Sequence, residues 1–164
     1  MVTGKYVRYD LAAGALVGGI TVGSDGAIWF TSTSHDKIGR ISPCGELSDF
    51  ALTSGFGPRR ILSGKDGLLY IAGGGEARRQ VARMTLTGSV TYLKVSGLPM
   101  GLTNGPDGAV WVAELYSGGG SEHIARLDPS GTVTEFPLPA LGQPVQCGSR
   151  PPGAVKVKRR SLPR

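Results

Sequence analysis

The chain has 164 residues, enough for one domain with a hydrophobic core, and 27 of them are glycine. Its net charge of +6 arises in residues 146–164, which hold six basic side chains and no acidic one, whereas residues 1–145 are neutral overall. This location argues against nucleic-acid binding by the main body of the protein. No apolar run approaches the ~20 residues of a membrane helix, so we expect a cytoplasmic protein with no membrane partner.

Three sequence markers recur at a nearly constant interval. An Asp-Gly pair is followed by an aromatic residue four positions after each Asp, with a spacing of 41 residues. An arginine that ends an apolar triplet and a later glycine both recur every 43 residues. The markers are Asp25, Asp66 and Asp107; Trp29, Tyr70 and Trp111; Arg40, Arg83 and Arg126; and Gly45, Gly88 and Gly131. A period near 40 with several short strands is typical of β-propeller blades.

In chain order, residues 4–11 come first. They match residues 45–52, which hold the fourth strand of the first unit. This match predicts that residues 4–11 form an outer strand without the rest of its blade. Three units of four strands follow, at 17–57, 58–98 and 99–143. Each unit has a short first strand, an Asp-Gly hairpin turn and an almost continuously apolar second strand. The third strand ends near the recurring arginine, and the fourth strand ends with an apolar or aromatic residue. The predicted first three strands are 19–21, 27–31 and 38–41, then 60–62, 68–72 and 81–84, then 101–103, 109–113 and 124–127. The fourth strands end at Phe50, Leu93 and Phe136.

The predicted fold is therefore all-β: a partial β-propeller at 1–145 with about three four-stranded blades, an orphan N-terminal outer strand and a basic, disordered tail at 146–164. We expect the aromatic marker to pack between blades and Gly67 to have a positive φ. The open flanks of the first and third blades predict self-association. The tail predicts only non-specific nucleic-acid binding. Cys44 and Cys147 lie in unrelated settings and indicate neither a disulfide framework nor a metal site.

The blade sequences resemble a known family. Residues 19–32, 37–41, 105–114 and 134–139 contain Gly-Ile-Thr, Trp-Phe-Thr, Lys-Ile-Gly-Arg-Ile, Gly-Pro-Asp-Gly and Glu-Phe-Pro-Leu-Pro. These segments are similar to the blades of the virginiamycin B (streptogramin B) lyases, and the resemblance covers residues 1–144. It implies a seven-bladed propeller that opens a cyclic depsipeptide antibiotic by elimination across an ester bond, with Mg²⁺ as cofactor.

The resemblance also implies where the site residues stand. A general base would directly follow the proline before a first strand, and a substrate-contacting His would take that position one blade earlier. The Mg²⁺ ligands would be a Glu before that proline and a Glu at the end of the second strand. In this sequence the corresponding residues are Met100, Arg59, Leu98 and Glu114. Only Glu114 matches, as a candidate metal ligand, while Arg59 and Met100 are candidate substrate-binding residues by position.

Other candidate chemistry is sparse. His35 with Asp36, and His123 with Glu122, place two His/carboxylate pairs before third strands, and His123 is the remaining candidate catalytic residue. Arginines at 59, 60, 78 and 79 could contact an acidic ligand.

Three readings of function remain open from the sequence. The first is a non-catalytic, lyase-like propeller that binds a small molecule, peptide or protein through its loop face. The second is a Mg²⁺-dependent carbon–oxygen lyase that confers antibiotic resistance and whose catalytic blades are missing from this chain. The third is a self-assembling scaffold. We expect the chain itself to be inactive as a lyase, because Met100 cannot accept a proton.

Overall fold

The protein is built from three antiparallel sheets. A computed structural model describes residues 7–75, 79–115 and 123–138. Each sheet is a meander of four strands in sequence order, which confirms the predicted partial propeller. Within the described residues, no helix has the length and apolarity to cross a membrane. The strands are β1 (Val17–Val22), β2 (Ile28–Ser32), β3 (Lys37–Ile41), β4 (Leu47–Ala51), β5 (Pro58–Ser63), β6 (Leu69–Gly73), β7 (Gln80–Met84), β8 (Val90–Lys94), β9 (Leu98–Asn104), β10 (Val110–Leu115), β11 (His123–Leu127) and β12 (Val133–Pro137).

The blades pack face to face through two hydrophobic clusters. One cluster joins the first and second blades around Trp29 and Phe56, and the other joins the second and third blades around Tyr70. The inner strands β1, β5 and β9 lie side by side. The approach of β1 to β5 requires glycine, because a Cβ at Gly18 would lie 2.8 Å from the carbonyl oxygen of Arg59. Trp29 and Tyr70 are almost completely buried, as predicted for residues between blades.

An Asp–aromatic–Arg triad links the second and third strands to the hairpin turn between the first two. In the first blade, the Oδ1 atom of Asp25 accepts hydrogen bonds from the backbone N–H of Ala27 and the indole N–H of Trp29, at 3.2 and 3.1 Å. Its Oδ2 atom accepts two from the guanidinium of Arg40, at 2.9 and 2.8 Å. A Cβ at Gly23 would lie 2.5 Å from both Oδ1 and the indole nitrogen, which explains the glycine that begins each turn.

The third blade repeats this arrangement, and the second blade keeps part of it. In the third blade, Asp107 accepts from Trp111 at 3.4 Å and from Arg126 at 2.7 Å. In the second blade, the Tyr70 hydroxyl donates to Asp66 at 2.8 Å, whereas Arg83 donates to the carbonyl oxygen of Pro129. The Asp, aromatic and Arg markers therefore form one hydrogen-bonded unit in the first and third blades, and the second blade keeps its Asp–aromatic part. The predicted positive φ of Gly67 is confirmed at 81°.

The predicted orphan outer strand at the N-terminus would complete a blade that is not among these three sheets, so it stays a prediction. Residues 7–11 are in no strand, and Val7 is 76% exposed. Each of the three sheets already has four strands from consecutive residues, so these sheets leave no vacant outer position for this segment. Residues 1–6, the tail at 146–164 and Cys147 lie outside the described residues, whereas Cys44 is exposed in a turn as expected.

We expect the triad of the third blade to stabilise the fold in a pH-dependent way. The hydrogen bond from Arg126 is the main cause that lowers the pKa of Asp107 below its ordinary 3.8. A lowered pKa contributes stability above the ordinary value, and this contribution is lost as the pH falls through the folded-state pKa. Asp107→Asn should reduce the free energy of unfolding by about 1.5–3 kcal/mol at neutral pH, because a charge-assisted acceptor is lost.

Urea unfolding at several pH values tests this prediction. The difference between wild type and Asp107→Asn should shrink as the pH falls below 3.8, since the wild-type carboxylate is then protonated too. The matched control is Asp10→Asn, which affects an exposed ion pair with Arg8 and should change stability by less than about 0.5 kcal/mol. An equal effect of the two substitutions would contradict the role of the triad.

The outer faces of the first and third blades expose apolar residues. The equivalent residues between neighbouring blades are buried or partly buried. Ile20 and Val22 on β1 are 68% and 59% exposed. Trp111 and Ile124 are half-buried and line an open cleft of about 470 Å³. The equivalent residues of the preceding blade, Tyr70 and Val81, are buried against the third blade.

These exposed faces predict self-association in dilute solution. We expect light scattering at micromolar concentration to detect species larger than a monomer, because contiguous apolar faces favour association. Ile20→Lys should shift the distribution towards the monomer, whereas Thr87→Lys, in the exposed turn between β7 and β8 of the middle blade, should not. A single monomeric species for the wild type would refute the prediction.

Candidate functional site

The inner strands carry β-bulges at equivalent positions. In the second blade, Pro58 lies opposite Gly73 and Arg60 opposite Ala72, so Arg59 is an extra residue without a partner in the ladder. The register also shifts in the first and third blades, where the inner strand again has one residue too many. A bulge redirects side chains and is common beside functional sites. The equivalent bulge positions, 41 residues apart, are Gly18, Arg59 and Met100.

The three bulge residues line one cleft of about 380 Å³, which we call the inner cleft. Its size is within the usual range for small-molecule sites. Arg59 and Met100, the two residues that the resemblance placed in a substrate site, are therefore brought together although they are 41 residues apart. The complete lining consists of Leu16, Gly18, Thr33, Arg59, Arg60, Gly74, Pro99 and Met100.

Glu114 lies at the end of β10, as expected, and its carboxylate is already engaged. The side chain is buried, and its Oε2 atom accepts a hydrogen bond from the Gly97 N–H at 2.7 Å. Glu135 lies close by and accepts from the next amide, that of Ser96, at 3.0 Å. Each carboxylate has one buried oxygen without a hydrogen-bond partner. Sequence reasoning missed Glu135, because nothing in its strand distinguishes it from a surface residue.

This pair of carboxylates does not amount to the implied magnesium site. Mg²⁺ prefers octahedral coordination by oxygen, and Leu98 supplies no oxygen at the second implied ligand position. Within the described part of the chain, no three His, Cys, Asp or Glu side chains are grouped so as to hold a metal. The residues present therefore do not fit the ion.

The two predicted His/carboxylate pairs do not form a common site. His35 lies beside the Oγ atoms of Ser32 and Ser34 and lines a separate cleft at the first blade. The carboxylate of Asp36 accepts from the amides of Gly55 and Gly57, at 2.6 and 2.7 Å, so it holds a loop instead of orienting the imidazole.

His123 lies opposite Glu114 in the β10–β11 ladder and does not line the inner cleft. Its predicted partner Glu122 is outside the described residues. The structure therefore supports His123 as a neighbour of the buried carboxylates and gives it no route to a ligand in the inner cleft.

Comparison with known proteins identifies the family. Residues 1–149 match the model of the virginiamycin B lyase family. The chain belongs to this family. It is 34% identical over 125 residues to a virginiamycin B lyase from Nocardia farcinica, an alignment that covers 74% of this chain and 41% of that protein.

Solved structures of virginiamycin B lyases have the same fold. A streptogramin B lyase structure superposes with a TM-score of 0.73 at 29% identity, covering 84% of this chain and 46% of the other. The virginiamycin B lyase of Staphylococcus aureus superposes with a TM-score of 0.71 at 33% identity, covering 81% and 45%. The chain thus spans less than half the length of these relatives.

Burial of Glu114 predicts a second pH-dependent effect, opposite in sign to that of Asp107. Burial is the main cause that raises the pKa of Glu114 above its ordinary 4.5. Folding then favours the protonated carboxyl, so the free energy of unfolding should fall as the pH rises from 4.5 through the folded-state pKa. In Glu114→Gln the amide oxygen can still accept from Gly97, so this pH dependence should disappear with little loss of stability.

Thermal melting between pH 4 and 8 measures this effect. The control is Glu46→Gln in an exposed turn, which should keep the wild-type pH profile. If Glu114→Gln and wild type lose stability in parallel as the pH rises, the assignment to Glu114 is incorrect.

Proposed function

We propose that this chain is a non-catalytic member of the virginiamycin B lyase family that binds a small-molecule or peptide ligand in the inner cleft. The observation that carries the proposal is the residue at the third bulge. Met100 is 46% exposed in the cleft at the position where the resemblance implies the general base. A thioether cannot remove a proton from the carbon next to a carbonyl, which elimination across an ester requires.

Two further features support binding without catalysis. Arg59 occupies the position implied for a substrate-contacting His, and an arginine stays protonated and cannot act as a base near neutral pH. Glu114 uses one carboxylate oxygen for the Gly97 amide and has Leu98 in place of a second metal ligand. The cleft nevertheless keeps the bulges and the open volume that a ligand needs.

The alternative is a Mg²⁺-dependent carbon–oxygen lyase whose catalytic blades are missing from this chain. It is favoured by the names of the relatives and by the chain's coverage of less than half of their length. A structurally similar chain, a catalytically inactive virginiamycin B lyase from Staphylococcus aureus, was solved with quinupristin; it matches this chain at 26% identity with a TM-score of 0.53. Sequencing the DNA on both sides of this reading frame would show whether further blades with a Pro-His motif exist.

The decisive experiment is a lyase assay on the purified chain. We expect no ring-opened quinupristin by mass spectrometry, with or without Mg²⁺, because loss of a general base alone costs about 10²–10⁴ in rate. The Staphylococcus aureus enzyme serves as the positive control. Combining Met100→His with Leu98→Glu should restore little activity, because Arg59 is unchanged.

Ring opening by the wild-type chain that depends on Mg²⁺ would refute the proposal. The first variant to test would then be His123→Gln, since His123 is the described histidine nearest to a buried carboxylate.

A further inference from the structure

We infer that the ligand of the inner cleft is a small organic anion, whose carboxylate or phosphate group binds Arg59 and Arg60 and whose apolar part lies against Met100. The inference rests on the proposed binding function and adds the chemical class of the ligand. It follows from the bulge, from the lack of partners for the two arginines, and from the composition of the cleft.

The bulge brings two consecutive arginines to the same cleft. In a regular strand, successive side chains point to opposite faces of the sheet, so neighbouring residues do not share a site. Because Arg59 is the extra residue in β5, both Arg59 and Arg60 line the inner cleft. Two guanidinium groups on one surface repel each other unless an anion or solvent lies between them.

These two arginines differ from the others that the structure describes. Arg8, Arg40 and Arg126 form ion pairs with aspartates, and Arg79 and Arg83 donate to backbone carbonyl oxygens. Within the described ranges, Arg59 and Arg60 make neither an ion pair nor a side-chain hydrogen bond, although both are exposed in a concave site. A guanidinium presents a planar fork of donors that matches a carboxylate or phosphate.

The rest of the lining adds an apolar surface and no negative charge. The described residues of the cleft include no Asp or Glu. The Thr33 hydroxyl donates to the Pro58 carbonyl oxygen, so its proton is not available to a ligand. Leu16 and Met100, 66% and 46% exposed, give an apolar wall beside the cations. A ligand with an anionic head and a short apolar group would satisfy both parts.

The test uses three probes of similar shape: benzoate, phenyl phosphate and uncharged benzamide. Isothermal titration calorimetry on the full chain should detect binding of one or both anions, whereas benzamide should bind at least about tenfold more weakly. Binding should weaken as NaCl rises, since exposed charges are screened. Comparison of benzoate with phenyl phosphate shows which head group the two arginines prefer.

Variants assign the site. Arg59→Gln and Arg60→Gln should each weaken anion binding about tenfold, because each removes a charged donor. Met100→Glu places a carboxylate beside the arginines and should compete with the anion, giving a similar loss without removing either cation. Arg8→Gln removes one charge outside the cleft and should leave the affinity unchanged. Circular dichroism checks that each variant keeps its β-sheet spectrum.

Two results would overturn the inference. One is equal affinity for benzamide and the anions. The other is anion binding that Arg59→Gln, Arg60→Gln and Met100→Glu leave unchanged, which would place the anion elsewhere, for example on the basic residues after 145. The lyase assay judges the proposed lack of catalysis separately. Anion binding together with ring opening would refute only the lack of catalysis, whereas the absence of both would refute only the anion inference.

Discussion

The hydrogen-bonded Asp–aromatic–Arg triad is the constraint on which the first and third blades depend, and the second blade keeps its Asp–aromatic part. In the first blade, one aspartate joins the turn after β1, the indole on β2 and the guanidinium on β3. Burial acts to raise the pKa of Asp25. Hydrogen bonds from Trp29 and Arg40 lower the pKa by more than burial raises it, so it lies below its ordinary value. The carboxylate thus stays charged while it ties three segments together, and the aromatic ring is left to fill the space between blades.

This constraint explains why one part of the blade can vary. The triads hold one end of the second and third strands, whereas the bulges lie at the other end of the inner strands. Substitution at Arg59 or Met100 leaves the ladder intact, because the bulged residue has no ladder partner, whereas Gly18 is fixed by the close approach of β1 to β5. Gly18, Arg59 and Met100 therefore occupy equivalent places with unrelated side chains. The chemistry of the cleft can change while the scaffold is kept.

The residues at these positions suit the proposed anion recognition better than proton transfer. An imidazole titrates near neutral pH and can act as a base, whereas a guanidinium stays charged and a thioether does not titrate. The carboxylates of the buried Glu114 and the half-buried Glu135 lie on the third blade with Met100 and are engaged by the amides of Gly97 and Ser96. Membership of the virginiamycin B lyase family is therefore consistent with a loss of the lyase reaction.

The sequence by itself determined the blade count, the four strands of each blade and the family, because short strands, Asp-Gly turns and apolar periodicity are local signals that repeat three times. It also singled out Arg59, Met100 and Glu114 as candidate site residues. Only the tertiary structure decided which of these residues meet. The inner cleft depends on the register of three strand pairs and on packing between segments 41 residues apart, and neither is encoded locally. The same limit explains why the sequence missed Glu135 and paired Asp36 with His35.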